Sequence, residues 1–379
     1  MKILVVNDIL QGGGVEKLMY DFVTYFCDKY EITILTDVMD PDFDKIYPAN
    51  VSYLYQMEKE YEKPNNIFKK KLIERVRKRR ENKLKMQIKD MNFDVLLCFK
   101  ESWIMMMALT YGDYIKKKFA WVHTDYSKSY YTKVWFGSEQ NEVNYMKRFD
   151  NVICVSEVIL NSIKMVIGDP GNLMVCYNPV NKEDILKKSL EEITDIQKDD
   201  RLLFVTVGRL NIQKGYDILL EVCNLLNKQG LKDKYAIWLI GGGESYNNYQ
   251  VLHDLERQIN KYNLTNVYLL GERKNPYKYM RQADWFLSTS RYEGYSYVSQ
   301  EATIVGAPLI LSDCSGVLEL LKDESNGIIM ENSFAGIYLG MKQAIENKEL
   351  CKQYKGKVVP KSKEEYWDNQ LQMMEKLFL

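Results

Sequence analysis

Two glutamates, Glu293 and Glu301, are carried by a loop and by the helix that follows it, within a predicted strand–loop–helix–strand unit. The unit spans Ser288–Gly316, which reads STSRYEGYSYVSQEATIVGAPLILSDCSG. Apolar runs predict a buried strand just before this stretch and another after Pro308. Helical spacing predicts a helix from about residue 296 to residue 305, in which Glu301 lies early.

Ligands of open α/β sheets bind at the carboxyl ends of the strands. Glu293 and Glu301 would lie there, beside the free backbone amides of Gly294, Tyr295 and Ser296 at the start of the helix. Carboxylates accept hydrogen bonds from hydroxyl groups, and amides at a helix start favour anions. The pattern therefore suits a ligand with both hydroxyls and phosphates. Taken singly, each glutamate is equally consistent with a solvated surface acid.

Two cations, Arg209 and Lys214, occupy a similar place in another predicted strand–helix unit. The strand Leu202–Val207 precedes them and an amphipathic helix, Tyr216–Leu226, follows. Arginine can bind a diphosphate with its planar fork and lysine as a point charge. The alternative is two solvated surface cations.

The N-terminal half offers glycines and one histidine at strand ends. Gly13 and Gly14 lie between the predicted strand Ile3–Val6 and a helix from about Val15, where a ligand can approach the backbone closely. They lack the Gly-x-Gly-x-x-Gly spacing of a dinucleotide site, which argues against a Rossmann oxidoreductase. His123, one of only two histidines, follows the predicted strand Phe119–Val122. It is a candidate ligand contact, or a packing or capping histidine.

The elements that position these residues alternate between short apolar runs and helical stretches. This alternation predicts a doubly wound parallel sheet up to about residue 180 and a second sheet beyond it. The further predicted strands are Glu31–Leu35, Val51–Leu54, Val95–Phe99, Val152–Val155, Ala236–Ile240, Val267–Leu270 and Gly327–Met330. The C-terminal stretch Glu364–Leu379 is predicted to be an amphipathic helix.

Several of these motifs together resemble those of glycosyltransferase family 4. They are Glu293, seven residues and Glu301; Gly208-Arg209-Leu210 with Lys214-Gly215; and Trp121-Val122-His123-Thr124-Asp125. The resemblance implies an α/β fold of the GT-B type, with two Rossmann-like doubly wound domains facing an interdomain cleft. Residues 1–180 would bind the acceptor, residues 181–363 would bind the nucleotide-sugar donor, and a helix over 364–379 would cross back to the first domain.

The same resemblance implies roles for individual residues. Arg209 and Lys214 would bind the donor diphosphate, Glu293 the sugar hydroxyls and Glu301 the ribose hydroxyls, while His123 would face the donor sugar. The residues expected to act in catalysis are His123, Glu293, Arg209 and Lys214. The donor-binding set adds the following residues: Gly13, Gly14, Gly242, Arg273, Gly294, Tyr295, Ser296 and Glu301. Tyr295-Ser296-Tyr297 departs from the commoner family sequence after Glu293-Gly294, which leaves the transferred sugar open.

The implied reaction is the retaining transfer of a hexose or N-acetylhexosamine from a nucleotide sugar, with UDP as the favoured nucleotide. The implied acceptor is a glycan or a lipid-linked sugar, and the implied process is polysaccharide or glycoconjugate biosynthesis. No cofactor or metal is expected, since the Asp-x-Asp acids Asp40, Asp42 and Asp44 fall outside the predicted donor domain. Two alternatives stay open: a nucleotide-sugar epimerase on the same fold, and a non-catalytic carbohydrate-binding protein.

Composition limits the remaining classes. Lys plus Arg and Asp plus Glu both number 52, so overall charge gives no reason to expect a nucleic-acid partner. Seven scattered cysteines predict reduced thiols rather than a disulfide framework. No signal peptide and no apolar run of about 20 residues is evident. We therefore expect a cytoplasmic protein, either soluble or attached to the inner face of the membrane.

One segment, Phe68–Met91, departs from this balance. Ten residues between Lys69 and Lys85 are Lys or Arg, against two glutamates. Apolar residues fall at helical spacing within it: Phe68, Leu72, Val76, Leu84, Ile88 and Met91, with the stem of Arg79 beside them. A basic amphipathic helix of this kind is a solvated face, a nucleic-acid patch or a membrane-surface helix, and an anionic membrane is the preferred partner.

Overall fold

The computed structural model describes residues 1–8, 13–38, 46–57, 67–242, 246–321, 327–355 and 361–379. Their backbone forms two compact units. The first unit comprises Met1–Tyr177 together with Leu371–Leu379, and the second comprises Asn178–Gln370. Each unit is organised around one parallel β-sheet, which is the architecture expected for α/β domains.

The first unit contains a seven-stranded sheet. Its strands are β1 (Lys2–Val6), β2 (Glu31–Val38), β3 (Ser52–Met57), β4 (Val95–Cys98), β5 (Lys117–Val122), β6 (Asn151–Cys154) and β7 (Leu173–Val175). Their order is β3-β2-β1-β4-β5-β6-β7, and all neighbours are parallel. Val6 of β1 pairs with Leu35 on one side and Cys98 on the other. The strand order therefore reverses between β1 and β4, which is where such sheets bind ligands.

Helices of the first unit connect these strands. They are α1 (Gly14–Phe26), α2 (Ile67–Met91), α3 (Trp103–Tyr111), α4 (Lys133–Phe136), α5 (Glu139–Met146) and α6 (Glu157–Val166). The central strands are buried on both faces, as the unbroken apolar run Ile3–Val6 predicts, because helices cover the sheet. Ser156 begins α6 by accepting a hydrogen bond from the Ile159 amide.

The last residues of the chain pack on the first unit. Phe378 is 1% exposed and lies with its ring 6.0 Å from that of Phe22 and 6.1 Å from that of Phe26. The Glu375 carboxylate accepts hydrogen bonds from Lys29 Nζ and the Tyr30 hydroxyl, both at 2.5 Å. The burial of the aromatic ring is the main attraction, since the ion pair is partly exposed.

The second unit contains a six-stranded parallel sheet. Its strands are β8 (Leu202–Val207), β9 (Tyr235–Ile240), β10 (Val267–Gly271), β11 (Trp285–Ser288), β12 (Leu309–Ser312) and β13 (Gly327–Met330). Their order is β10-β9-β8-β11-β12-β13. Here the strand order reverses between β8 and β11, so the predicted Arg209–Lys214 loop and the Glu293 loop leave neighbouring strands at the same edge.

The helices of the second unit surround this sheet. They are α7 (Lys182–Ser189), α8 (Tyr216–Lys228), α9 (Tyr246–Tyr262), α10 (Tyr277–Gln282), α11 (Tyr297–Ile304), α12 (Val317–Leu321), α13 (Phe334–Glu346), α14 (Leu350–Tyr354) and α15 (Lys361–Phe378), the last of which ends in the first unit. Short 3-10 helices span Ile212–Lys214 and Lys232–Lys234. The core joins Leu220 of α8, Leu239 of β9, Trp285 of β11 and Met341 of α13. The predicted helix over residues 296–305 is confirmed as α11.

One sequence expectation is corrected. Val76 was placed on the apolar stripe of the basic helix, but its side chain is 41% exposed; of the predicted stripe, Leu84 and Ile88 are buried in the described part. Of the α2 side chains that the structure describes, from residue 75 onward, those that are buried are Leu84 and Ile88, one helical turn apart and two turns beyond Val76. The charged run from Lys182 to Arg201, predicted to be a linker region with a helix, contains α7 and belongs to the second unit. The side chains of Phe68 and Leu72, and the acids Asp40, Asp42 and Asp44, lie outside what the structure describes.

Among the described helices, none combines the length and the apolar character that crossing a bilayer requires. The seven cysteines are all free thiols, and five of them are buried. This matches the prediction of reduced cysteines.

Candidate functional site

An ion pair between Lys214 and Glu293 lies at the centre of the candidate site in the second unit. Lys214 Nζ is 2.6 Å from Glu293 Oε1, and the two side chains are only 13% and 12% exposed. Ser290 Oγ donates a second hydrogen bond to the same carboxylate oxygen, at 2.7 Å. Two residues that are 79 positions apart in the chain thus meet because β8 and β11 are neighbours.

The backbone before α8 fixes the position of Lys214. Asn211 accepts from the Lys214 amide through its side chain at 3.3 Å, and Thr289 Oγ1 donates to the Lys214 carbonyl at 2.9 Å. Gly215 then adopts φ +66°, and a Cβ there would meet the Thr289 carbonyl oxygen at 2.1 Å. Only glycine satisfies both the conformation and this close approach. The lysine is therefore held by its own loop and by the loop after β11.

The Glu293 loop is anchored in the same way. Ser312 Oγ donates to the Ser290 carbonyl at 2.7 Å, which ties the loop to β12. Gly316 has φ +77°, and a Cβ there would meet the Gly294 carbonyl oxygen at 2.2 Å. Ser296 begins α11 by accepting from the Ser299 amide. The predicted residues Glu293, Gly294 and Ser296 are therefore held together at one strand end.

Arg209, Gly242 and Arg273 lie at the same sheet edge but differ in their surroundings. Arg209 is exposed, and no described residue provides it with an ion-pair partner. Gly242 lies beside Glu272, whose Cβ a Gly242 side chain would meet at 2.9 Å. The Arg273 guanidinium is already engaged, with NH2 2.7 Å from Asp195 Oδ2. What Arg273 can offer a ligand is therefore its backbone.

Glu301 and Tyr295 are buried, at 4% and 7% exposed. The Tyr277 hydroxyl donates to Glu301 Oε1 at 2.9 Å, so one oxygen of this carboxylate has a protein partner. Cys314 lies close to Glu293; burial first, and then the Glu293 carboxylate, raise the pKa of its thiol to about 12. The thiol is therefore neutral and is no nucleophile at neutral pH.

In the first unit, His123 follows β5. Its Nε2 is 2.9 Å from the Phe99 carbonyl oxygen, and its backbone amide donates to Glu101 Oε2 at 3.2 Å. Because a carbonyl oxygen can only accept, Nε2 carries a proton. Burial lowers the pKa of His123, partly offset by the Glu101 charge and the Phe99 hydrogen bond. The neutral ring therefore presents Nδ1 as an acceptor. Gly13 and Gly14 lie at the start of α1, where the Lys17 amide donates to the Gly13 carbonyl at 3.0 Å.

Five polar residues that follow β1 and β4 were not predicted as site residues from the sequence. Lys100 Nζ binds both carboxylate oxygens of Asp8, at 3.0 and 2.8 Å. Glu101 is 1% exposed, and Ser102 after it has φ +101°, a rare conformation for a residue other than glycine. Asn7 is fully buried, and its side-chain amide has no hydrogen-bond partner among the described residues. All five lie just after a strand end, so the strand-end rule that identified His123 also applies to them.

No group of three or more His, Cys, Asp or Glu side chains suited to a metal ion occurs within the described parts of the chain. Lys214 and Arg209 are two cations at this edge that the second unit can offer to an anionic ligand.

Two family models match adjacent parts of the chain. The model for glycosyl transferases group 1 matches residues 189–357, and the model for glycosyltransferase family 4 matches residues 12–184. The chain is also 32% identical over 198 residues to a Campylobacter jejuni N-acetylgalactosamine-N,N'-diacetylbacillosaminyl-diphospho-undecaprenol 4-alpha-N-acetylgalactosaminyltransferase, covering 51% of this chain and 50% of that protein. It is 26% identical over 183 residues to an Escherichia coli UDP-Gal:alpha-D-GlcNAc-diphosphoundecaprenol alpha-1,3-galactosyltransferase, covering 48% and 45%. The matches thus span about half the length of these curated relatives.

Solved structures extend the similarity over the whole chain. The Anabaena protein Alr3699/HepE, crystallised with UDP, superposes with a TM-score of 0.76 over 99% of both chains at 16% identity. The lipopolysaccharide outer core galactosyltransferase WaaB superposes with a TM-score of 0.63 over 99% of this chain and all of that one, at 17% identity. At such identities the likeness shows the fold alone, and that fold is GT-B, as the sequence predicted.

Proposed function

We propose that this chain transfers a hexose or N-acetylhexosamine from a nucleotide sugar to a glycan or lipid-linked acceptor, with retention of anomeric configuration. The proposal starts from the GT-B fold and from the two matches to glycosyltransferase models. UDP is the proposed nucleotide, because a UDP complex is known for a protein of the same fold and a UDP-sugar donor is named for one relative. The acceptor class rests on the diphospho-undecaprenol acceptors named for two relatives.

The observation that carries this proposal is the Lys214–Glu293 pair at the reversal of strand order in the second unit. A lysine and a carboxylate held 2.6 Å apart and mostly out of water are positioned before any ligand arrives. Breaking the glycosidic C1–O bond places negative charge on the leaving diphosphate. Lys214, together with the exposed Arg209, supplies positive charge for it, while Glu293 accepts from sugar hydroxyls.

The remaining donor contacts follow from the same edge of the sheet. Glu301, which already accepts from the Tyr277 hydroxyl, would accept from the ribose hydroxyls as well. The backbone amides of Gly294, Tyr295 and Ser296 at the start of α11 would face the phosphates. Gly242 and the backbone of Arg273 would lie along the nucleoside.

The proposed chemistry needs no protein nucleophile. The acceptor hydroxyl attacks C1 from the side that the leaving group departs, the new C1–O bond forms as the bond to the diphosphate breaks, and the hydroxyl proton passes to the leaving phosphate. His123, a neutral acceptor in the first unit, would hold a donor-sugar hydroxyl through Nδ1. No protein side chain is assigned as a general base. Lys214 and Arg209 would supply the positive charge that a metal ion supplies in other transferases.

We further propose that the protein acts at the inner face of the cell membrane, with α2 facing anionic lipid. Arg75, Arg77, Lys78 and Arg79 are all exposed on this helix, whereas Leu84 and Ile88 anchor its second half in the core. Exposed basic residues near an anionic surface contribute about 1 kcal/mol each.

A panel of nucleotide sugars tests the proposed function. Purified protein is incubated with UDP-glucose, UDP-galactose, UDP-GlcNAc, UDP-GalNAc and GDP-mannose, each with and without a polyprenyl-diphosphate-linked sugar. The expected result is acceptor-dependent release of UDP and a new α-linkage, seen by NMR. A changed sugar without acceptor would instead indicate an epimerase. Binding of glycans without turnover of any donor would indicate a non-catalytic carbohydrate-binding protein, and a β-linked product would overturn retention.

A further inference from the structure

The first unit carries an exposed aromatic surface that the donor chemistry leaves unused. Tyr131, Val134 and Trp135 are 38%, 76% and 49% exposed. The Trp103 and Trp135 rings lie 6.4 Å apart between centroids, tilted by 50°. These four residues are called the aromatic platform below. Apolar side chains grouped in this way on a surface, rather than scattered singly, mark an interaction site.

The platform lies at the carboxyl edge of the first sheet. Trp103 begins α3, five residues after β4 ends at Cys98 and three residues beyond Lys100, so the Cα atoms of Trp103 and Lys100 are no more than about 11 Å apart. Tyr131 and Trp135 belong to the segment that follows His123. Burial first, and then the Glu101 carboxylate, raise the pKa of the Tyr131 hydroxyl.

Polar groups border the platform on the side of the sheet. Lys100 Nζ and the Asp8 carboxylate form an ion pair that is partly exposed, at 29% and 18% of their side chains. His123 offers a neutral ring acceptor at the end of the next strand. Donors and acceptors of both kinds therefore lie at the same edge of the sheet as the indole rings.

A sugar ring matches this combination. One face of a pyranose presents C–H groups that pack against an aromatic ring, and its edge presents hydroxyls that both donate and accept. Tryptophan and tyrosine supply a large, rigid contact area with few rotatable bonds. A lipid surface would instead favour unpaired cations around the aromatic residues. Here Lys133 binds Glu139 at 2.8 Å and Lys100 binds Asp8.

We propose that the aromatic platform binds a sugar ring of the acceptor, with Trp103 and Trp135 against its C–H face and the Asp8–Lys100 pair at its hydroxyls. This inference rests on the proposed glycosyltransferase function and deepens it. It makes a saccharide, rather than the lipid or the diphosphate, the part of the acceptor that the first unit recognises.

Ligand-observed NMR titrations test the platform with lipid-free probes. The probes are the methyl α- and β-glycosides of glucose, galactose, GlcNAc and GalNAc, whose small aglycone adds no aromatic ring. The variants are Trp135→Ala and Trp103→Ala, with Tyr114→Ala as the matched control, because Tyr114 is 60% exposed on the same unit but lies away from the platform. Melting curves by circular dichroism report whether each variant is folded, and Trp135, half exposed, can be removed with little effect on the core.

Wild type and Tyr114→Ala should bind at least one glycoside, and both tryptophan variants should bind it about tenfold more weakly. A folded Trp135→Ala variant with wild-type affinity would overturn the inference, and so would wild-type protein that binds none of the glycosides. A third outcome is that the tryptophan variants lose binding to phosphatidylglycerol vesicles but keep their affinity for the glycosides. This result would make the platform a lipid surface instead. UDP binding is measured in parallel to separate this inference from the proposed glycosyltransferase function. If the protein binds UDP but the glycoside titrations do not give the expected result, this inference alone is contradicted.

Discussion

Lys214 is the residue on which the proposed donor chemistry depends most. Its ammonium group is fixed beside Glu293 by the backbone contacts of Asn211 and Thr289. A charge that is already in place when the leaving diphosphate forms stabilises the transition state without reorganisation. We therefore expect Lys214→Ala to lose about 2–4 kcal/mol of transition-state stabilisation, or roughly 30- to 1,000-fold in kcat/KM.

Loss of fold must be separated from this loss of charge. Lys214→Ala leaves the mostly buried Glu293 carboxylate without its cation, which costs about 1–3 kcal/mol of stability. The double variant Lys214→Met, Glu293→Gln removes both charges and should recover stability but not activity. Lys198→Ala is the matched control, because Lys198 is also ion-paired, to Asp284 at 2.8 Å, and precedes β8 at the opposite edge of the sheet. A folded Lys214→Ala enzyme within about threefold of wild-type turnover would refute the assignment.

His123 makes the stability of the protein depend on pH. Burial lowers its pKa below the ordinary value of 6.5, so between the lowered value and 6.5 the folded state binds fewer protons than the unfolded state. Stability therefore falls as pH falls through that window. His123→Gln keeps a donor for the Phe99 carbonyl but cannot be protonated. In urea unfolding, wild type should lose more stability than His123→Gln between pH 7 and pH 5.

The quantity to compare is the change in unfolding free energy between pH 7 and pH 5, taken as the difference between wild type and His123→Gln. Burial raises the pKa of the buried Glu142 carboxyl, so this group stabilises the folded state as pH falls and opposes the effect of His123. The same background is present in both proteins and cancels in the difference. His253→Gln is the matched control at an exposed histidine. Equal acid sensitivity of wild type and His123→Gln would show that the imidazole does not control stability in this range.

At the scale of elements, the turn into α8 is held by Gly215. Its φ of +66° and the 2.1 Å approach of a would-be Cβ to the Thr289 carbonyl oxygen leave no room for a side chain. Gly215→Ala should therefore cost at least about 1–3 kcal/mol of stability and should displace Lys214, lowering turnover as well. Gly230→Ala is the matched control, since Gly230 has φ +78° but no atom within 4 Å of its would-be Cβ. Denaturant unfolding that gives equal losses for the two variants would mean that the contact with Thr289 is unimportant.

The positions of the strands could be predicted from the sequence, but the contacts between their loops could not. Apolar runs located β8 and β11, and the strand-end rule then placed Lys214 and Glu293 at one edge, because adjacent parallel strands end together. The 2.6 Å contact itself was not predictable, since it depends on the φ of Gly215 and on the Thr289 contact. Val76 was misplaced because periodicity identifies a helix face but not how far along the helix that face is covered. Asp8 and Lys100 were missed because neither belongs to a motif.

The exposed stretch Arg75–Arg79 of α2 is the part of the chain that we expect to bind a membrane. Four basic residues, Arg75, Arg77, Lys78 and Arg79, are exposed there, with Val76 among them. Replacing all four by glutamine should weaken binding to phosphatidylglycerol vesicles at least about a hundredfold, since each contributes about 1 kcal/mol. Binding of wild type should also fall as salt rises, because screening shortens to about 8 Å at physiological ionic strength. Vesicle co-sedimentation measures both effects.

A matched control removes the same charge elsewhere. Lys228, Lys234, Arg257 and Lys261 are exposed in the second unit, and their replacement by glutamine changes net charge equally. This variant should still sediment with vesicles, and UDP should bind both variants. If the α2 variant sediments like wild type, or wild type ignores anionic vesicles, α2 is a solvated face.

At the scale of the whole molecule, both units use the same structural rule for different chemistry. Each sheet reverses its strand order once, between β1 and β4 or between β8 and β11, and polar residues collect at that edge. In the second unit the edge carries Lys214 and Arg209, which suit an anion. In the first unit it carries a neutral imidazole, the Asp8–Lys100 pair and the aromatic platform, which suit hydroxyls and a sugar ring. This difference in charge supports the proposed division of donor and acceptor binding between the units.

The charge of the second unit leads to a prediction for the reaction as a whole. Lys214 and Arg209 offer two positive charges to the leaving diphosphate, which is the contribution that a bound divalent ion makes in other transferases. We therefore expect turnover in EDTA to stay within about twofold of the untreated enzyme. A magnesium-dependent kinase in the same buffer confirms that chelation is complete. Complete loss of turnover on chelation, restored by magnesium or manganese but not by potassium, would show that the two cations are insufficient. In that case the diphosphate would need a metal ion held in part by the substrate itself.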